Sequence, residues 1–186
     1  MQEQSKEEVL QQLKFPIGVF VFEEQDAEEQ LPQWIATIAT FPKAIITLTE
    51  ELTVEQKNWK YRPQGWSIKQ VVHHCADSHM NSLIRFKLSL TEKEPTIRPY
   101  YEDRWALLVD GQNDDLEDSI LLLRGLHNKW TQLLKALTAE DLEKGFVHPE
   151  YNKSFTLKEA IALYAWHCQH HLAHIKQAIH AAGKYN

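Results

Sequence analysis

Trp166-His167-Cys168-Gln169-His170-His171-Leu172-Ala173-His174 gathers four of the chain's ten histidines into eight positions near the C-terminus. That density asks for a chemical reason. At a helical advance of about 100° per residue, His171, His174 and His170 fall at about 40°, −20° and −60° from His167, so all four imidazoles share one face. His167 and His171 stand one turn apart with their rings pointing the same way, the H-x-x-x-H geometry in which two neutral imidazoles bind one metal ion. A solvated polar stripe ranks second, because Leu163, Tyr164, Leu172, Ile175 and Ile179 line the same and adjoining faces and imply burial. Buried imidazoles need partners, and four together repel one another if they charge. A metal answers both problems.

Two imidazoles from one helix leave a divalent ion underbound, so a third ligand is expected from elsewhere. The source is Val71-Val72-His73-His74-Cys75-Ala76-Asp77-Ser78-His79. With His74 at zero, Ser78, Asn81 and Arg85 fall at about 40°, −20° and 20° and Asp77 at about −60°, whereas His73 and His79 point elsewhere. His74 therefore begins a polar stripe inside an otherwise apolar helix. It is the expected third ligand, with Asp77, Ser78 or Asn81 free to orient it. Asp77, Asn81 and Arg85 are expected to support the ligands or face the substrate.

Composition narrows the rest. A length of 186 residues predicts a single domain, 1–186, large enough for a full core. A formal charge of −6, a pI near 5.9 and the lack of a Lys/Arg cluster argue against a nucleic-acid surface. No apolar run is long enough to span a bilayer, and Met1-Gln2-Glu3-Gln4-Ser5-Lys6 lacks the pattern of a signal peptide, so no membrane association and a cytoplasmic location are expected. Cys75 and Cys168 make no C-x-x-C and read as buried, reduced thiols.

Along the chain, residues 1–14 read as a frayed, polar lead-in and Phe15-Pro16-Ile17-Gly18 as the start of an extended segment. From Pro32, apolar residues Trp34, Ile38, Phe41, Ile45 and Leu48 recur at helical spacing, with Pro42 predicted to kink or divide the helix. A weak repeat follows. Leu52-Thr53-Val54-Glu55 is echoed by Leu137-Thr138-Ala139-Glu140, and Trp66-Ser67-Ile68-Lys69-Gln70 by Phe155-Thr156-Leu157-Lys158-Glu159. The later pair predicts capping boxes, Ser67 with Gln70 and Thr156 with Glu159, each opening a histidine helix, with Trp66 or Phe155 stapling onto Val71 or Ala160. A third helix, capped near Asp114 or Asp115, carries Leu116, Ile120, Leu123, His127, Trp130, Leu134 and Leu137 on one stripe. His127 reads as a hydrogen-bonded core histidine. Thr91 to Asn113, with Pro95, Pro99, Gly111 and the aromatics Tyr100, Tyr101 and Trp105, is a long crossover. Strand signals are weak and predict loops. The result is an all-α four-helix bundle of two helical hairpins whose second and third helices run parallel.

These residues also carry a resemblance that spans nearly the whole chain. The run from Trp66 to Asn81 with Ile84-Arg85-Phe86-Lys87, together with Phe15-Pro16-Ile17-Gly18, Arg98-Pro99-Tyr100, Gly145-Phe146-Val147-His148-Pro149 and Ala165 to Ile175, resembles the YfiT-type metal-dependent hydrolases of the DinB-like superfamily. The resemblance implies an up-down-down-up four-helix bundle, one divalent zinc or nickel ion on three histidines, and a homodimer. Its ligands fall on His74, His167 and His171, the same three that the helical wheel selects. Cys168 stands where relatives more often have a small or polar residue.

Three imidazoles and an open position describe a catalytic site rather than a structural one. The leading expectation is a hydrolase in which the ion activates a water nucleophile against a small-molecule substrate. The alternatives are an S-transferase acting through a low-molecular-weight thiol such as bacillithiol, and a non-catalytic metal- or ligand-binding protein. The mouth of the site is expected among the loops before the two capped helices and the crossover. His148 is the expected proton shuttle or substrate contact there, and Arg62 and Tyr100 are weaker candidates for binding an anionic substrate.

Overall fold

The computed structural model describes residues 5–186. In chain order they form α1 (Lys6–Lys14), α2 (Ala27–Thr49), α3 (Val54–Lys57), α4 (Ile68–Thr91), α5 (Glu102–Trp105), α6 (Glu117–Lys135), α7 (Ala139–Glu143), the strands β1 (Gly145–His148) and β2 (Lys153–Thr156), and α8 (Leu157–Ala181). Helix starts follow from side chains that satisfy otherwise orphaned N–H groups. Ser67 and Gln70 close a reciprocal capping box on α4, and Thr53–Gln56 and Thr138–Asp141 do the same on the short helices α3 and α7 that the sequence repeat marks. Thr156 caps α8 from one side only. Glu159 turns away to pair with Lys153 at 2.6 Å.

The lead-in departs from expectation. Residues 1–4 lie outside the described residues, but Lys6–Lys14 is a helix rather than frayed chain, begun by a Ser5–Glu8 capping box. It is docked through its C-terminal carbonyls: Gln177 Nε2 donates to Leu13 O at 3.0 Å and His174 Nε2 to Lys14 O at 3.1 Å. The first bundle helix begins at Ala27, ahead of Pro32, and Pro42 does not divide it. Neither Asp114 nor Asp115 is the N-cap of α6. Leu116 takes that position, because Asp114 is engaged by Lys69 at 2.8 Å, while Asp115 accepts the N–H of Glu117 at 2.9 Å. The segment expected to be loop after α7 is a small antiparallel hairpin in which Phe146 faces Phe155 and Val147 faces Ser154. Val147 also bridges to Thr96 of the crossover.

The four long helices make the bundle, and their directions are read from the contacts. Lys158, at the start of α8, pairs with Glu24, just ahead of α2. His73, early in α4, bonds Ser119, early in α6, at 2.8 Å. These pairs run parallel, whereas His74 meets His171 and Ser78 meets Tyr164 across antiparallel helices. The order is up-down-down-up. The packing within it differs from two side-by-side hairpins: α2 packs on α6 and α8, and α4 packs on α6 and α8, so the two long helices of each half stand diagonally across the core. Phe41, Phe86, Trp130, Ile38, Leu123 and Ile161 fill that core and are almost wholly buried. Because α4 and α8 are direct neighbours, their polar stripes meet.

Candidate metal centre

His74 comes from the second turn of α4 and His167 and His171 from the middle of α8. One ring nitrogen from each lies within 4.8 Å of the other two. The Nε2 atoms of His167 and His171 are 3.2 Å apart. In a tetrahedral site with metal–nitrogen bonds of about 2.0–2.1 Å, neighbouring nitrogens are separated by roughly 3.3 Å, so this pair fits a common ion. Three imidazoles suit zinc, nickel, copper or iron rather than magnesium or calcium.

Electrostatics favours the neutral rings that a metal requires. Burial pushes His74 down to about 4, with the nearby His170 adding to the effect. Burial first, and neighbouring imidazoles second, hold His167 and His171 well below the ordinary histidine range. Lone pairs are therefore available at neutral pH.

The rings behind the trio are also histidines. His79 Nε2 lies 3.0 Å from His167 Nδ1, and its Nδ1 lies 2.8 Å from His127 Nε2. His174 Nδ1 lies 3.4 Å from His171 Nδ1. His127 is a hydrogen-bonded core histidine, as its place on the apolar stripe of α6 implies. His79 is the residue the wheel passed over: five positions after His74, it faces α6 instead of the polar stripe. The signal that could have found it was His127 on the neighbouring helix. His73 serves the structure, with its rings bonded to Ser119 and the carbonyl of Asn113. Trp66 lies 4.6 Å from His74, ring centre to ring centre, and so walls the centre. Cys75 and Cys168 are buried free thiols, both pushed up by burial.

The other expected site residues are spread more widely. Asp77 is half-buried one turn after His74, and burial with the nearby Asp110 pushes its carboxyl up to about 6. Among the described residues no hydrogen bond joins it to His74. Asn81 donates to the Asp77 carbonyl at 2.9 Å, so its amide is used within α4 rather than at the ligands. Arg85 lies near His148 and Tyr100 instead, three turns along α4 from His74; burial first and the Arg85 charge second lower His148, whereas burial raises Tyr100 despite that charge. Tyr100 packs on Trp105 with ring centres 4.5 Å apart and planes tilted by 46°, and approaches Ser78, one turn from His74.

The two entry loops do not meet at one mouth, because α4 and α8 are antiparallel. Tyr61 O accepts from Gln177, and the backbone N–H of Lys60 donates to Asn186 Oδ1 at the C-terminus, so the loop before α4 lies beside the last turns of α8. The β1–β2 hairpin instead borders Ser89–Glu94 at the far end of α4. His148 belongs to that hairpin. It packs on Tyr151 at 4.5 Å, and the structure does not bring it to the trio. Arg62 is better placed. With Leu10, Lys14, Tyr61, Trp66, Glu102 and Asp103 it lines a cavity of about 720 Å³. The aromatic wall of that cavity backs onto the centre, with Trp66 against His74 and Tyr61 stacked on His174.

Comparison with known proteins agrees with this architecture. Residues 32–175 match the model of the DinB superfamily. The chain is 46% identical over 165 residues to a Bacillus subtilis protein named "Putative metal-dependent hydrolase YfiT", covering 89% of this chain and 93% of that one. It is 47% identical over 163 residues to a Bacillus cereus protein named "Putative metal-dependent hydrolase", covering 88% and 93%. A solved structure of YfiT from Bacillus subtilis, described as a probable metal-dependent hydrolase with an unusual four-helix bundle topology, superposes with a TM-score of 0.89 at 44% identity. The match covers 92% of this chain and 98% of that one.

Proposed function

Because the chain belongs to the DinB superfamily, we propose that it is a metal-dependent hydrolase of a small molecule, with one divalent ion, zinc or nickel, on His74, His167 and His171. The observation that carries this reading is the pair of part-buried Nε2 atoms of His167 and His171 facing each other at 3.2 Å. The names of the relatives support the reaction class. His74, His167 and His171 would hold the ion, which when bound would supply a water acidified towards neutral pH and a Lewis acid for the substrate oxygen.

The chain's own groups supply binding and proton handling. Arg62 and Lys14 line the cavity together with Glu102 and Asp103, which favours a substrate bearing an anionic group beside a donor-rich or cationic one. Trp66 and Tyr61 give it an apolar wall that adjoins His74 and His174. Asp77, with a carboxyl near pH 6 and one turn from His74, is suited to accept a proton at neutral pH.

The test is to incubate zinc- or nickel-loaded protein with a pooled metabolite extract in ¹⁸O-water and follow products by mass spectrometry. Product gaining one ¹⁸O, absent with His171→Ala, is the expected result. Product gaining a thiol and no ¹⁸O would replace hydrolysis by S-transfer. Firm metal binding without turnover would leave a binding protein.

A further inference from the structure

Pro42 has no N–H, so the carbonyl four residues earlier, that of Ile38, lacks its helical donor. The missing donor comes from another helix. His127 Nδ1 lies 2.6 Å from Ile38 O. A carbonyl only accepts, so the single proton of neutral His127 sits on Nδ1 and its Nε2 carries the lone pair. That lone pair faces His79 Nδ1 at 2.8 Å, which must therefore donate. His79 Nε2 is left as an acceptor, and His167 Nδ1 donates to it at 3.0 Å. The last ring in the chain thus bares its Nε2.

A second chain runs to the same point. His174 Nε2 donates to Lys14 O at 3.1 Å, which leaves its Nδ1 to accept from His171 Nδ1 at 3.4 Å. His171 then bares its Nε2 as well. Phe41, the residue before Pro42, packs on His127 at 5.5 Å and on His79 at 5.1 Å, which hinders ring reversal.

We propose that the backbone carbonyls of Ile38, released by Pro42, and of Lys14 are end-stops that set the direction of every proton in these two chains. His127, His79 and His174 are positioning residues in this scheme. Their effect is to deny His167 and His171 a hydrogen bond to each other. If either chain ran the other way, one Nε2 would carry a proton and donate to its neighbour 3.2 Å away, and the pair would be satisfied without a cation. With both chains stopped, two lone pairs face one another and only a cation relieves them. The inference rests on the reading of the trio as a metal site, but the proton positions themselves do not need the ion.

The test uses the full chain freed of metal and labelled with ¹⁵N in its histidine rings. The expected spectrum gives His167 and His171 as Nδ1–H tautomers with unprotonated Nε2. His127→Leu shifts His167 towards the Nε2–H form and weakens zinc binding by about 10–100-fold. His127→Gln, whose amide can donate to Ile38 and accept from His79, restores most of both. An Nε2 proton on either ligand in the unaltered metal-free protein overturns the proposal, as does a His127→Leu protein with unchanged tautomer and zinc affinity. Full zinc retention by His171→Ala would instead remove the trio as the metal site, while leaving the tautomer result standing.

Discussion

Tyr61 and His174 stack face to face, with ring centres 3.8 Å apart and planes inclined by 15°. The loop that precedes α4 is thereby clamped to α8 at the level of the histidine centre. Its next residue, Arg62, reaches the large cavity. Once a substrate is known, Arg62→Met should raise KM about tenfold for an anionic substrate, with metal content unchanged by elemental analysis. An unchanged KM would remove Arg62 from binding.

Ligand deletion should sort four of the histidines near the centre. His74→Ala, His167→Ala and His171→Ala each remove one of three donors, and zinc affinity should fall by at least about 100-fold, as read by competition with a chromogenic chelator. His170 stacks on Trp166 at 4.4 Å and is outside the trio. His170→Ala should stay within a few-fold of the original affinity. The reverse order would show that the wrong rings had been assigned.

Acid should unfold the metal-free protein early. Burial holds His74, His127 and His170 at about 4 and His174 at about 3, while the unfolded chain binds protons near 6.5. The unfolded state therefore holds more protons between these values, and stability is full above about pH 6.5 and falls as pH drops towards 4. Each such ring contributes a slope of up to about 1.4 kcal/mol per pH unit. Two of them acting fully would remove about 3 kcal/mol per unit, a large share of a typical 5–15 kcal/mol. Denaturant titrations from pH 7.5 to 4.5 read the slope directly, and a flat profile would contradict the buried neutral cluster. Zinc should raise the curve, since it binds only the folded form.

The N-terminal helix gives a paired test. Deleting residues 1–14 removes the carbonyls that hold His174 and Gln177, and should lower both Tm and zinc affinity. Lys14→Ala keeps the carbonyl, and zinc affinity should not change. Equal zinc affinity in the two proteins would show that α1 plays no part in the centre.

What the sequence discloses depends on how local the cause is. The pairing of His167 with His171 was readable because it follows from a spacing of four on one helix, and the starts of α4 and α8 because Ser67 and Thr156 cap within three residues. Relations between helices were not readable in that way. His79 sits about 140° around α4 from His74. Its meaning depends on α6 being the neighbour that offers His127. The shared mouth was expected because His74 and His167 follow their caps by only seven and eleven residues, but antiparallel packing sends those caps to opposite ends and takes His148 with one of them. The helix in residues 6–14 has few apolar residues, so its docking through main-chain carbonyls left no periodic trace.

The acceptors that end the two histidine chains are main-chain atoms, one at Ile38 and one at Lys14. No exchange of side chain at either position can delete a carbonyl oxygen. The polarity of the centre is therefore buffered against point mutation at its own boundaries. It is vulnerable to changes of backbone path: loss of the proline that opens a rung in α2, or displacement of the helix that carries Lys14 to α8.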